Sequence, residues 1–168
     1  SYAGDLLDSG APKYRERAFR VIRTVINSQD QDETSKTYGI WPYNWEEPLE
    51  EMKKPDWNWA DFIGVQLLEI YLKHYEALPD DLKAEMQQSL IHAARSIQRR
   101  DVKPTYTNIA VMGTLVTFLT ADLFDLPDLK TYAQMRLKRF YDYTWDLGGF
   151  AEYNSPNYTP DTIHNLTT

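Results

Sequence analysis

Two short segments of the chain repeat. LPDDLK at 78–83 returns as LPDLK at 126–130. Each follows a stretch of apolar residues spaced every three to four positions and leads into another. A glycine recurs early in the preceding stretch, as Gly64 and Gly113, 49 residues apart. A period of about 48 residues holding two helices is the mark of an α/α array, in which each hairpin buries its apolar face only against its neighbours. The repeat therefore predicts an all-α fold, a helical hairpin array that is part of an (α/α) toroid.

The helical spacing gives five helices near 12–28, 59–77, 80–100, 108–124 and 128–146. Pro12 suits a first helical position, Asn58 an N-cap, and Gly148–Gly149 a C-terminal stop. Thr159-Pro160-Asp161 reads as cap, first-turn proline and first-turn acid of a sixth helix. No strand pattern has comparable support. The 59–77 and 108–124 helices are the most apolar, which predicts that they lie side by side as inner helices. KYRERAFR and RLKRFYDY mark outer ones. The whole chain reads as one helical domain. It stops at Thr168, about two turns into a helix, and a closed ring would need roughly twice as many hairpins, so a piece of a larger toroid is expected. Contact with the remainder, or self-association through exposed helical faces, follows from that expectation.

In such an array the segments entering inner helices lie at one end. Those segments are PDWNWAD, PTYTN and EYNSPNYTP, with TYGIWPYNWEEP ahead of the first. They gather Trp41, Trp45, Trp57, Asn58, Trp59, Tyr106 and Asn154. The chain has five Trp and twelve Tyr, 14% aromatic in all, and packing explains aromatics in polar loops poorly. Aromatic faces stack on the C–H faces of sugar rings, and amides and acids bind hydroxyls, so this rim predicts an oligo- or polysaccharide groove.

Charge narrows the alternatives. A formal net charge of −7 argues against nucleic acid or an anionic membrane, which need a basic face. No apolar run reaches the length of a span. With no cysteine there is no disulfide framework and no cysteine zinc site. SQDQDETS lacks the glycine and distal glutamate of an EF-hand, and no metal or cofactor is expected. SYAGDLLDSGAP lacks the basic start and apolar centre of a signal peptide. The compartment stays open, with a secreted or periplasmic one favoured.

GGFAEYNSPNYT at 148–159 resembles the glycine–acid–Ser-Pro-x-Tyr turn in the toroid domain of heparinase II/III-like polysaccharide lyases, a group within the α/α-toroid carbohydrate-active enzymes. The match falls on Gly148, Gly149, Phe150, Glu152, Ser155, Pro156 and Tyr158. One extra residue separates Glu152 from Ser155, and Thr159 stands where the family has histidine. YTN at 106–108 is similar to the family's asparagine at an inner-helix start. The resemblance implies β-elimination, with Tyr158 as acid or base and Asn108 neutralising a uronate carboxylate. Read on their own, Tyr158 suits packing at a helix start and Asn108 a helix cap.

Glu152 keeps a glycosidase open, since hydrolysis needs two carboxyls flanking the bond; Asp56 and Asp61 are candidate partners. Asp61 reads first as an acid favoured by the helix dipole. RSIQRRDVK at 95–103 reads as favourable charge at a helix C-terminus, or, if it faces the groove, as the anchor for an acidic sugar. A non-catalytic helical scaffold or binding module, and a toroid enzyme on a non-sugar substrate, remain the alternatives to carbohydrate processing.

Overall fold

A computed structural model describes residues 1–151 and 158–167. Its helices are α1 (Tyr2–Asp8), α2 (Pro12–Asn27), α3 (Trp59–His74), α4 (Asp80–Arg100), α5 (Thr107–Leu123), α6 (Pro127–Leu147) and α7 (Tyr158–Thr167). A 3₁₀ turn, Tyr75–Ala77, follows α3. The described residues contain no strand, and the fold is all-α.

The helices follow from local chemistry. Pro12 and Pro127 stand in the first turns of α2 and α6, where a missing N–H costs nothing. Helix α4 carries Asp80 and Asp81 in its first turn and Arg99 and Arg100 in its last, matching the helix dipole. Gly148 closes α6 at φ 69°, and its N–H and that of Gly149 donate to the Trp145 and Thr144 carbonyls at 3.1 Å each. This is the left-handed glycine stop. Helix α1 escapes periodicity because it has only seven residues. Tertiary packing sustains it instead: Ala3 is buried and the helix lies against α2 and α3, as a short helix requires.

Helix α5 is buried almost throughout and touches α3, α4, α6 and α7. Two of its hydroxyls are satisfied locally, Thr114 donating to the Ala110 carbonyl and Thr117 to that of Gly113, each at 2.7 Å, whereas those of Thr107 and Thr120 are buried without a hydrogen-bond partner among the described residues. The expected neighbourhood of the 59–77 and 108–124 helices is present as the α3–α5 contact. A Cβ at Gly64 would stand 3.0 Å from Val116, so the glycine lets these helices approach closely. Contacts also run from α1 to α3 and from α5 to α7, and from α2 to α4 and α4 to α6. Ion pairs staple the second set: Arg23 of α2 to Asp81 and Glu85 of α4, and Arg95 of α4 to Asp128 of α6.

The 28–58 connection folds back as an ordered loop. Asp30 accepts from the hydroxyls of Ser35 and Thr37 at 2.5 and 2.6 Å. The buried Gln29 amide donates to the Gly39 and Ser89 carbonyls and accepts from the Ser89 hydroxyl. Gly39 is required there: it has φ 78°, and a Cβ would stand 2.3 Å from the His92 carbonyl oxygen.

Candidate functional site

The segments entering α3 and α5 meet through Asn58. Asn58 occupies the N-cap position of α3, yet its side chain makes no cap bond. Its amide donates to the Tyr106 hydroxyl at 3.1 Å and accepts from the Arg100 guanidinium at 2.6 Å. Its backbone N–H donates to the Asp56 carboxylate at 2.9 Å. Tyr106 stands at the N-cap position of α5 and Arg100 in the last turn of α4. Three helix ends are thus tied by one amide, an arrangement that fixes side chains at a rim.

Beside this amide lies a cavity of about 340 Å³, lined by Trp57, Arg99, Arg100, Lys36, Tyr38 and two serines. Trp57 is 38% exposed, and its indole N–H donates to the Lys36 carbonyl at 3.3 Å, so the ring is held while a face remains open. The Arg99 guanidinium lies 4.1 Å from the centre of the Tyr38 ring, a cation–π contact, and donates to the Glu33 carbonyl at 2.9 Å. Tyr38 and His92 share a hydrogen bond of 2.8 Å. Burial pushes the Tyr38 phenol up and the His92 imidazole down, which favours the neutral form of both. An apolar face and three cations therefore line one cavity in a chain of net charge −7. A second cavity of about 650 Å³ lies alongside, with Ser35 common to both.

Beneath the rim is a buried polar layer. Asp61, in the first turn of α3, is 2% exposed. Burial pushes its carboxyl up to about 7, against the pull of Arg136 and Arg100. The Arg100 guanidinium lies 4.0 Å from Asp61 Oδ2. Arg136, also buried, donates to the Thr114 hydroxyl, the Tyr132 hydroxyl and the Ile109 carbonyl at 3.2, 3.1 and 3.4 Å. Tyr132 in turn donates to Asp101 at 2.8 Å, and Arg139 grips both oxygens of Asp101. Arg139, and then Tyr132, hold the Asp101 carboxyl below its usual range.

The structure brings Trp57, Asn58 and Tyr106 together. Trp59 is half-buried, its ring edge-on to Phe62 at 6.0 Å. Trp45 is exposed beside the larger cavity. Trp41 lies in the core and not on the rim, its indole N–H donating to the Val25 carbonyl at 2.8 Å. Asn108 is buried as the second residue of α5, within its first turn, and Tyr106 occupies the cap position instead. Tyr158 is the first residue of α7. Glu152 and Asn154 lie outside the described residues.

Sequence reasoning gave Arg99 and Arg100 a helix-terminal role first; facing a cavity is legible only once Trp57 is seen opposite. It also missed Arg136. Among the described residues no group of three or more His, Cys, Asp or Glu is placed to hold a metal ion, and no helix is long and apolar enough to cross a membrane.

Compared with known proteins, residues 1–168 match the family described as a domain of unknown function (DUF8769), and the chain belongs to that family. No curated protein and no solved structure matches it.

Proposed function

We propose that this chain is a carbohydrate-processing protein. Its fold is read as a hairpin array within an α/α toroid: α1, α3, α5 and α7 form the inner row, and α2, α4 and α6 the outer. The alternating helix contacts support that reading. An oligo- or polysaccharide lies across the end where α3 and α5 begin.

The observation that carries the proposal is the single cavity shared by Trp57, Arg99 and Arg100. A pyranose ring stacks its C–H face on Trp57, and a carboxylate on that ring pairs with the guanidinium groups, whose planar forks suit it. Asn58 and Tyr106 supply the amide and phenol that orient hydroxyls. The ligand class is an acidic sugar, a uronate in preference to a densely sulfated polymer that an acidic chain would repel.

For a uronate the matching chemistry is β-elimination. A base removes the proton on the carbon next to the carboxylate. The electron pair forms a carbon–carbon double bond, and the glycosidic C–O bond on the next carbon breaks. The departing oxygen takes a proton. Pairing the carboxylate with cations stabilises the anionic intermediate. Tyr158 serves as the proton-transfer group and Asn108 as a neutralising amide; they stand in the first turns of α7 and α5, helices that touch. Glycoside hydrolysis is the second reading. It is supported by Asp61 in the first turn of α3, whose carboxyl burial raises to about 7, toward the range that suits a general acid.

The test is incubation of the full chain with pectate, alginate and hyaluronan. Ultraviolet absorbance reads unsaturated ends and a colorimetric assay reads reducing ends. Elimination raises both signals, hydrolysis only the second. Loss of either activity in Trp57→Ala and Arg100→Ala supports the site. Binding without turnover identifies a binding module, and neither binding nor turnover on any acidic polymer overturns the proposal.

A further inference from the structure

One aromatic cluster lies outside that groove. On α6, Tyr141 and Trp145 stand four residues apart and so share a helix face. Their ring centroids are 6.1 Å apart and the planes meet at 23°, an offset stack. Trp145 is 73% exposed and Tyr141 60%. Rings left this far in water forfeit most of the transfer free energy they could give to folding, so packing among the described residues does not account for them.

The pair borders a cavity of about 460 Å³ whose other walls are Thr144, Gly148 and Gly149. The two glycines are fixed as the helix stop described above, yet a Cβ on either would meet nothing within 4 Å. The floor is therefore rigid and open. One position further round the helix, Lys138, Asp142 and Asp146 are exposed, with Lys138 paired to Asp142 at 2.7 Å. A flat aromatic face thus runs beside a strip of charged hydrogen-bonding groups. A pyranose chain matches both, its C–H face on the rings and its equatorial hydroxyls on the strip. A docked amphipathic helix buries a row of anchors in a hydrophobic groove, whereas the walls here are two stacked rings, Thr144 and two glycines with no side chain to enclose an anchor. The location agrees: Phe140 of α6 packs on Ala110 and Val111 of α5, so α6 ends where α5 begins, at the end that carries the Trp57 cavity.

We propose that Tyr141 and Trp145 form a second sugar-binding platform, an outer subsite for a pyranose chain. It rests on the carbohydrate reading of the fold but uses none of the arginines of the first cavity.

The probe is cellohexaose, which is neutral and so gives the arginines no charge to grip. Titration of the full chain is followed by calorimetry. Saturable binding is expected, weakened roughly tenfold or more in Trp145→Ala and in Tyr141→Ala and partly restored in Trp145→Phe. Melting temperatures stay unchanged because the rings are exposed. Tyr75→Ala, which removes an exposed ring after α3, leaves the affinity as it was. No saturable binding by the wild type, or equal affinity in Trp145→Ala, overturns the platform. So does a Trp145→Ala variant that shifts an oligomer to monomer in sedimentation while cellohexaose affinity holds, since the rings would then be a protein contact. Acidic-polymer binding lost with cellohexaose binding kept removes the Trp57 groove and leaves the platform standing.

Discussion

Asp61 and Arg136 flank the bare Cα of Gly113. A Cβ at that glycine would stand 2.5 Å from the Asp61 carboxylate and 2.7 Å from the Arg136 guanidinium. The recurrence of glycine at 64 and 113 thus has two causes. At 64 it admits a neighbouring helix; at 113 it leaves room for an acid and a base beneath the rim.

Gly113→Ala forces one of these groups to move. Displacing a buried charge from its surroundings costs several kcal/mol, and the helix-propensity gain of alanine returns about 1 kcal/mol. Urea unfolding is expected to show a net loss of about 2 kcal/mol or more. Gly64→Ala meets only Val116 methyl groups, and the same propensity gain brings it within about 1 kcal/mol of wild type.

Asp61 predicts a pH dependence whose sign is fixed by its raised carboxyl. The ordinary value is 3.8 and the folded value about 7. Below 3.8 both states hold the proton and the group is neutral in effect. Between the two values the folded state binds the proton more strongly, so its contribution to stability falls as pH rises, by at most about 1.4 kcal/mol per pH unit. Above 7 the loss is complete. Asp61→Asn removes this slope, and the variant gains on wild type between pH 5 and 8 in denaturation series. A constant difference across that range contradicts the assignment.

Asp101 works the other way. Its carboxyl is held low by Arg139, so its contribution is present above 3.8 and is lost as pH falls through the folded value. It also closes α4 at φ 44°, a conformation that alanine resists. Asp101→Ala is expected to lower stability by about 2 kcal/mol, with Asp101→Asn milder because asparagine accepts the left-handed region. Thermal melts at pH 7 compare the two.

Much of the fold is legible in the sequence, for reasons visible at particular residues. Helix α4 is read to its ends because its apolar stripe is long and both termini carry the charges the dipole favours. Helix α1 is not, because seven residues give no period and part of what it packs on, α3, is far along the chain. The rim is legible where chain position alone fixes it, as with Asn58 and Tyr106. It fails at Trp41, because a loop aromatic folds into the core as readily as onto a rim, and only the path of the 28–58 connection decides. The buried layer is hidden because Asp61 and Arg136 are 75 positions apart and each alone looks like an ordinary surface charge on a helix.

The two tryptophans give a direct contrast. Trp41→Ala empties a core site and is expected to cost about 3–5 kcal/mol, with any loss of ligand following from unfolding. Trp57→Ala leaves the melting temperature close to wild type and removes ligand binding. Paired melts and titrations separate the two roles.

The central claim is that a sugar ring lies on Trp57 with its carboxylate on Arg99 and Arg100. The indole N–H of Trp57, which donates to the Lys36 carbonyl, reports on that ring directly by ¹⁵N–¹H correlation NMR. Titration with hexagalacturonate is expected to shift this resonance saturably in the wild type. In Arg100→Ala, with the fold intact by the remaining spectrum, the shift is expected to be lost or to need at least roughly tenfold more ligand. An indole signal that stays in place, or that moves equally in Arg100→Ala, contradicts the claim.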